Sequence, residues 1–425
     1  MGVPVTVLNE FPSVPEVEAL PADRATAYLR RRGCPVPTNR MWIAAVCART
    51  AAAGSVYTGI NLGRERELPA MHSFPEKKRR LVVPSTATAA APNPALVFET
   101  LLAHQRSAAL RTAIELNLFG ALGEGPADAA TLAVRCSASV RGIRILCDFL
   151  TVIGLLAKLD GIYRHTSTSA LFLDPRSPNS LHAAARFLGL AELRAAYDDL
   201  TEIVRKGHSL LPGQGSVSPE NPIWVDFAHG MAPMMAPLAA PLGGIVLEGR
   251  KGPMRVLDIA AGHGLFGIEI AKQNPQAQIV ALDWARVLDV AQENARNAGV
   301  SGRYKLLPGS AFEVDFGGLY DVVLLTNFLH HFDAATCVGL LRKVRAALKP
   351  HGISATLEFV PNEDRVTPPM AAAFGLTMLI STPAGDVYTF RELEAMHRAV
   401  GFRRIRAHPI PDSPHTVITG AAQDR

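Results

Sequence analysis

From Met254 onward the chain alternates between two hydrophobic periodicities. The runs MRVLDIAA, AQIVALD, YKLLPG, YDVVLLTN and GISATLEFV are dense in aliphatic and β-branched residues and predict strands buried on both faces. Between them, stretches such as RVLDVAQENARNAG and AATCVGLLRKVRAALK repeat apolar residues every three or four positions and predict amphipathic helices. Successive β-α units of this kind predict an α/β fold built on a doubly wound parallel sheet. Two further strand runs, FRRIRAHPI and HTVITGA, are joined by a turn-like linker, which predicts an antiparallel hairpin at the sheet edge. The helix FRELEAMHRAV opens on a capping box, Thr389 to Glu392, and closes at Gly401.

Upstream the pattern is helical. ALVFETLLAHQRSAALRTAIELNLFGAL reads as one long helix, followed by DAATLAVRC and SVRGIRILCDFLTVIGLL at helix-turn-helix spacing. AKLDGIYRHT then predicts a hairpin turning at Asp160-Gly161, so the segment reads as a winged helix. Its second helix carries Arg141 and Arg144 among Val, Ile, Leu, Cys and Phe. A DNA-reading helix needs several polar side chains at base edges, so burial against its own domain or a partner chain is expected instead. Residues 180–247 read as mostly helical around the turn-rich LLPGQGSVSPENP, with Phe227, Met231, Met234 and Met235 at helical spacing. The expected divisions are 1–93, a poorly ordered basic extension with Met71 as an alternative start; 94–178, the winged helix; 179–248, a helical linker and pocket region; and 249–425, the sheet domain.

Composition narrows the function classes. The 425 residues are 48% hydrophobic, ample for a large core. The net charge of +5 resides in residues 1–90, which hold 12 Lys+Arg against 7 Asp+Glu; the remainder is neutral and offers no basic face for nucleic acid. Without an uninterrupted apolar run of membrane length or a basic, apolar leader, neither a membrane span nor a signal peptide is expected. Five scattered cysteines without a C-x-x-C pair predict a reduced, cytoplasmic protein with neither disulfides nor a zinc site.

The candidate chemistry begins at VLDIAAGHGLFGIEIA, which spells Gly262-x-Gly264-x-x-Gly267 behind a strand. Asp283 ends the next strand, 21 residues after Gly262, where a carboxylate accepts ribose hydroxyls. Both features serve NAD and S-adenosylmethionine equally. Asp258 separates them: a carboxylate beneath the loop repels a pyrophosphate but suits a sulfonium and an ammonium. It is expected to hold the loop and face that cation. An NAD-dependent oxidoreductase and a non-catalytic winged-helix regulator remain as alternatives, and His263 in the loop is read as exposed and without chemistry.

VLDIAAGHG, ALDWA, LPGSAFEVDFGG, LLTNFLHHFD and LEFVPNED stand in the order and spacing of methyltransferase motifs. Over about residues 95–421 the chain resembles the small-molecule O-methyltransferases that use S-adenosylmethionine, of the caffeic acid and hydroxyindole types. The resemblance implies a Rossmann-like methyltransferase domain behind a winged-helix dimerisation domain, hence a homodimer with neither nucleic-acid nor membrane partner. It implies that Gly262 and Gly264 form the cofactor loop, that Asp283 holds the ribose, and that the turn Ser310-Ala311-Phe312 faces the adenine, with Asn327 also at the cofactor. Ser310 stands where the family has an acid, and Thr326 where plant members have a lysine. His330, in Leu329-His330-His331-Phe332, matches the general base and Glu358 the acid that orients it; a second flanking acid falls at Val387, with Asp386 adjacent. The choice between His330 and His331 stays open, as does C-methylation. Phe374 and Met378 match the acceptor wall, joining Phe227, Met231, Met234 and Met235. A phenol or polyketide-like acceptor is expected.

Overall fold

The structure, a computed structural model, describes residues 93–423; the expected N-terminal extension lies outside them. Helices α1 (Ala95–Leu101), α2 (Ala103–Glu115) and α3 (Leu118–Gly123) precede α4 (Ala129–Arg135), α5 (Val140–Val152), the hairpin β1 (Leu156–Leu159) and β2 (Ile162–His165), and α6 (Ser167–Phe172). The single long helix expected at the start is therefore broken. One break is at Asn117, which turns the chain at φ 51°, a conformation Asn tolerates better than most residues. Asp128 caps α4 by accepting from the Thr131 amide at 2.8 Å, and Ser139 caps α5 through the Gly142 amide at 3.1 Å. The β1–β2 turn places Asp160 and Gly161 at positive φ, as a tight hairpin requires. Leu118, Leu132, Ile143 and Leu150 form the core of this winged helix with Tyr163, whose hydroxyl donates to Asp148 Oδ1 at 2.7 Å. Helix α1 buries no residue, although Leu96, Val97, Phe98 and Leu101 are all large and apolar. Val134 and Val152 are also left about four-fifths exposed, at 80% and 82%.

Helices α7 (His182–Leu188), α8 (Ala191–Asp198) and α9 (Leu200–Lys206) lead to α10 (Ile223–Leu247), which continues through Pro233, Pro237 and Pro241. A proline removes the hydrogen bond to the carbonyl four residues earlier. The four-residue spacing confines those losses to one line along the helix, and the opposite side stays bonded and packed. Contrary to expectation, α10 is therefore one helix long and apolar enough to cross a membrane by length and composition. Its prolines count as breaks in a sequence but not in this fold. Met235, Leu238, Leu242 and Val246 bury into the core against the sheet, which is the role of a core helix.

The rest runs β3 (Met254–Ile259), α11 (Leu265–Gln273), β4 (Ala277–Asp283), α12 (Ala285–Asn297), β5 (Tyr304–Pro308), β6 (Tyr320–Thr326), α13 (Ala334–Ala346), β7 (Leu348–Phe359), α14 (Pro369–Ser381), α15 (Phe390–Ala399), β8 (Arg403–Pro409) and β9 (His415–Ala421). The seven-stranded sheet has the order β5-β4-β3-β6-β7-β9-β8. Strands β3 to β7 are parallel, and β9 runs antiparallel to both β7 and β8. The expected hairpin is present, with its second strand inserted inside the edge. Strand alternation divides the core: Val256, Val322 and Leu324 pack with α10 to α12, whereas Leu257, Val323 and Leu325 pack with α13 and α15. Strand order reverses between β3 and β6, and ligands of such sheets bind at the carboxyl ends beside that reversal. The capping box of α15 forms as its sequence predicts.

Candidate active site

The loop after β3 is tied to the end of β4. Asp283 Oδ2 accepts from the Gly262 amide at 2.8 Å and Oδ1 from the Trp284 amide at 2.7 Å. Burial raises the Asp283 carboxyl to about 6, against the pull of those two amides. Gly264 caps α11 at φ 74°, and a Cβ there would lie 2.5 Å from the Tyr304 hydroxyl, so glycine is required twice over.

Asp258 departs from its expected role. It is fully buried, and its Oδ2 accepts from the Gly267 amide in the first turn of α11 at 3.1 Å. It holds the loop from below and takes no part in the cavity wall, because strand alternation aims its side chain at α11 and not past the strand end. Burial raises its carboxyl to about 8, with the Asp283 charge adding to the shift. His263 also corrects the sequence reading. It is buried, lines the cavity and accepts from the Leu265 amide at 3.2 Å through Nδ1. Burial lowers it to about 4, so it is neutral.

A cavity of about 640 Å³ lies over the carboxyl ends of β3, β4 and β6. Gly262, Asp283, Ser310, Ala311, Phe312 and Asn327 line it, as do Phe227 and Met235 from α10. Gly264 does not line it. Met231 packs into the core, Met234 is 39% exposed, and Met378 is buried outside the wall. A helical stripe names a face but not the neighbour it meets, and only Phe227 and Met235 turn toward the cavity. Trp224, Trp284, Phe328, Phe332 and His331 line it without having been singled out for it. For Trp224 a signal existed: it stands one helical turn before Phe227, and the two rings meet edge-on at 5.2 Å.

The stretch after β6 supplies the reactive-looking pair. Asn327, at φ 52°, turns the chain, and its amide donates to Leu357 O at 2.7 Å; its side-chain Oδ1 is buried without a partner. His330 Nδ1 pairs with Glu358 Oε2, and both side chains are buried. The other carboxylate oxygen, Oε1, accepts from the Phe328 amide at 3.0 Å and the Leu329 amide at 2.8 Å. Glu358 thereby holds the histidine and the backbone that carries it. His330 does not line the cavity; its ring stands next to that of His331, which does. Phe374 does not reach the cavity but stands edge-on to the His330 ring at 5.0 Å. Asp386 pairs with Arg365 at 3.5 Å, so no second acid reaches His330 from that position. His331 lines the cavity 4.4 Å ring to ring from His330, with Nδ1 unpaired. Burial, and then the neighbouring His330, hold it well below the usual imidazole range.

Residues 250–403 match the O-methyltransferase domain and residues 98–175 the O-methyltransferase dimerisation domain. A protein of Nostoc punctiforme PCC 73102 described as an O-methyltransferase is 48% identical in its solved structure, spanning 78% of this chain and 100% of that one, with a TM-score of 0.75. This chain belongs to the S-adenosylmethionine-dependent O-methyltransferases. The 3-hydroxy-5-methyl-1-naphthoate 3-O-methyltransferase of Streptomyces sahachiroi is 29% identical over 323 residues, 74% of this chain and 90% of that protein. Human N-acetylserotonin methyltransferase, solved with S-adenosylmethionine, shares the fold at a TM-score of 0.68 and 21% identity over 79% of this chain and 100% of that one. The methyltransferase uses S-adenosylmethionine, which decides between the two cofactors its glycine loop admits.

Proposed function

We propose that this methyltransferase methylates a phenolic hydroxyl on a flat, largely apolar acceptor, with His330 as general base and Glu358 as its positioning residue. The observation that carries this reading is the buried His330–Glu358 pair at the ends of β6 and β7, beside an aromatic-walled cavity. The names of relatives that act on a naphthoate and on a polyketide agree with the flat ring system of such an acceptor, though not with any one charge on it.

When bound, the cofactor supplies a methyl group already activated on a sulfonium. The residues present fit it: Asp283 for the ribose hydroxyls, the Ser310–Phe312 turn for the adenine, and the unpaired Asn327 Oδ1 for the ammonium. Glu358 holds the His330 proton on Nδ1, which leaves the lone pair on Nε2 to receive the proton of the acceptor hydroxyl. Alignment of the two substrates inside a water-poor wall contributes more to rate than the proton transfer does. His331 reaches the cavity directly, the one observation that favours it as base. Against it, burial and the neighbouring His330 oppose any positive charge there, and its Nδ1 has no carboxylate to hold the proton. The uncovered α1, Val134 and Val152 support a homodimer formed through the dimerisation domain. Free, buried Cys136, Cys147 and Cys337 support a reducing compartment such as the cytoplasm.

The test is methyl transfer from labelled S-adenosylmethionine to a panel of hydroxyarenes by the wild type and His330→Ala. The variant is expected to lose about 10²–10⁴ in kcat while binding S-adenosylhomocysteine as before. Near-full activity in His330→Ala would remove the histidine from the mechanism.

A further inference from the structure

A cavity that takes an apolar ring also sets the charge its ligand can carry. The main chamber adjoins a second pocket of about 300 Å³, and the two share Gln214, Val217, Phe312, His331 and Phe332. Among the described residues lining either one, no Lys or Arg occurs. The ionisable side chains there are Asp283, Glu220, Glu313 and Asp333, together with His263 and His331. Burial keeps both histidines neutral at ordinary pH. Among the described residues, the wall is therefore neutral or negative.

The cofactor's sulfonium does not change this for the far end of an acceptor. With the cofactor held at the Asp283 end, the rest of an acceptor's ring system would occupy the part of the cavity lined by Trp224, Phe227 and the Glu220 carboxylate. A carboxylate or phosphate placed there loses its water and gains no counter-charge, which is among the most costly things to bury. An amide, a carbonyl with a donor, or an amine meets no such penalty. The buried, unpaired His331 Nδ1 offers such a group a hydrogen bond.

We infer that the acceptor is an uncharged or cationic aromatic alcohol and that this methyltransferase rejects acceptors bearing a carboxylate or phosphate. The inference rests on the hydroxyl-methylating reading of this cavity, but its test is separable. The purified full-length protein, saturated with S-adenosylhomocysteine, is titrated with three ligands of matched substitution: a hydroxynaphthoate, the corresponding hydroxynaphthamide and the corresponding hydroxynaphthylmethylamine. The amide and the amine should bind about thirtyfold more tightly than the acid, the cost of an uncompensated anion. Glu220→Lys should shift the acid-to-amide affinity ratio about tenfold toward the acid by supplying the missing counter-charge. Gln214→Lys, at a position lining both pockets, repeats the test should the first variant fold poorly. Equal affinity for acid and amide overturns the inference. So does binding of none of the three, or a ratio unmoved in both variants. Rates of methyl transfer to the same ligands are measured separately. Charge preference without transfer sinks the hydroxyl-methylating reading alone, and transfer without charge preference sinks this one alone.

Discussion

Glu358 has two separable duties, and two substitutions pull them apart. Oε1 accepts from the Phe328 and Leu329 amides, while Oε2 holds His330 Nδ1. Glu358→Ala strands the buried Leu329 amide and the half-buried Phe328 amide; at about 1–3 kcal/mol for a fully buried unsatisfied donor and less for the other, the loss is about 2–4 kcal/mol of stability. Glu358→Gln keeps one oxygen for the amides, so its stability cost should stay near 1 kcal/mol, roughly the worth of one hydrogen bond. That arrangement turns the Gln NH₂ toward Nδ1 and favours the tautomer with the proton on Nε2. The base is then protonated on the wrong nitrogen. Methyl transfer by Glu358→Gln should fall by about 10²–10⁴ in kcat, with little change in KM for either substrate. Urea unfolding measures the first effect, and single-turnover transfer from labelled cofactor measures the second. A Gln variant with wild-type kcat would refute the claim that Glu358 sets the tautomer. An Ala variant as stable as Gln would refute the assignment of the two backbone bonds.

Three further outcomes are expected. Asp258, raised from 3.8 to about 8, keeps its proton in the native state where the unfolded chain has lost it. Its stabilisation is full below pH 3.8 and is lost as pH rises through about 8. Wild type should thus lose about 2–3 kcal/mol between about pH 6 and pH 9 relative to Asp258→Asn, read by urea unfolding; parallel pH profiles would contradict the burial argument. Gly264→Ala forces a Cβ against the Tyr304 hydroxyl at φ 74° and should cost about 2–4 kcal/mol, part of it recovered by adding Tyr304→Phe. Paired changes Phe98→Glu and Leu101→Glu, at positions 61% and 65% exposed on α1, should convert the dimer to monomer in sedimentation, and an unchanged dimer would place the interface elsewhere.

The parts of the molecule that were legible from sequence depend on local chemistry. Alternating aliphatic runs became the strands, Thr389 and Glu392 became a capping box, and Asp160-Gly161 became the winged-helix turn. Asp283 and Gly262 stood out by their positions at strand ends, and the pairing of His330 with Glu358 was implied by the family resemblance. The rest depends on tertiary direction, which a linear pattern does not encode. Asp258 and Asp283 are both acids near one loop, yet one sits under it and the other faces the cavity. Four of the six residues assigned to the acceptor wall, Met231, Met234, Phe374 and Met378, do not line the cavity, while Trp224 and Phe332 take part. Helix α10 ignores its prolines because burial against the sheet outweighs three missing hydrogen bonds.

Strand β9 has a consequence for the acid it flanks. It pairs with β7 from Ile353 to Phe359, so Thr416 stands opposite Glu358 and the His415 ring lies 4.1 Å from Phe359. Without β9, β7 would be an edge strand, and water would have a path along its open backbone to the rear of the His330–Glu358 pair. An inserted strand ordinarily counts as protection against edge-to-edge aggregation. Here it also serves as insulation: it keeps the local dielectric low around a carboxylate whose hold on its histidine weakens in water. Shortening or loosening this hairpin should therefore blunt catalysis before it unfolds the sheet.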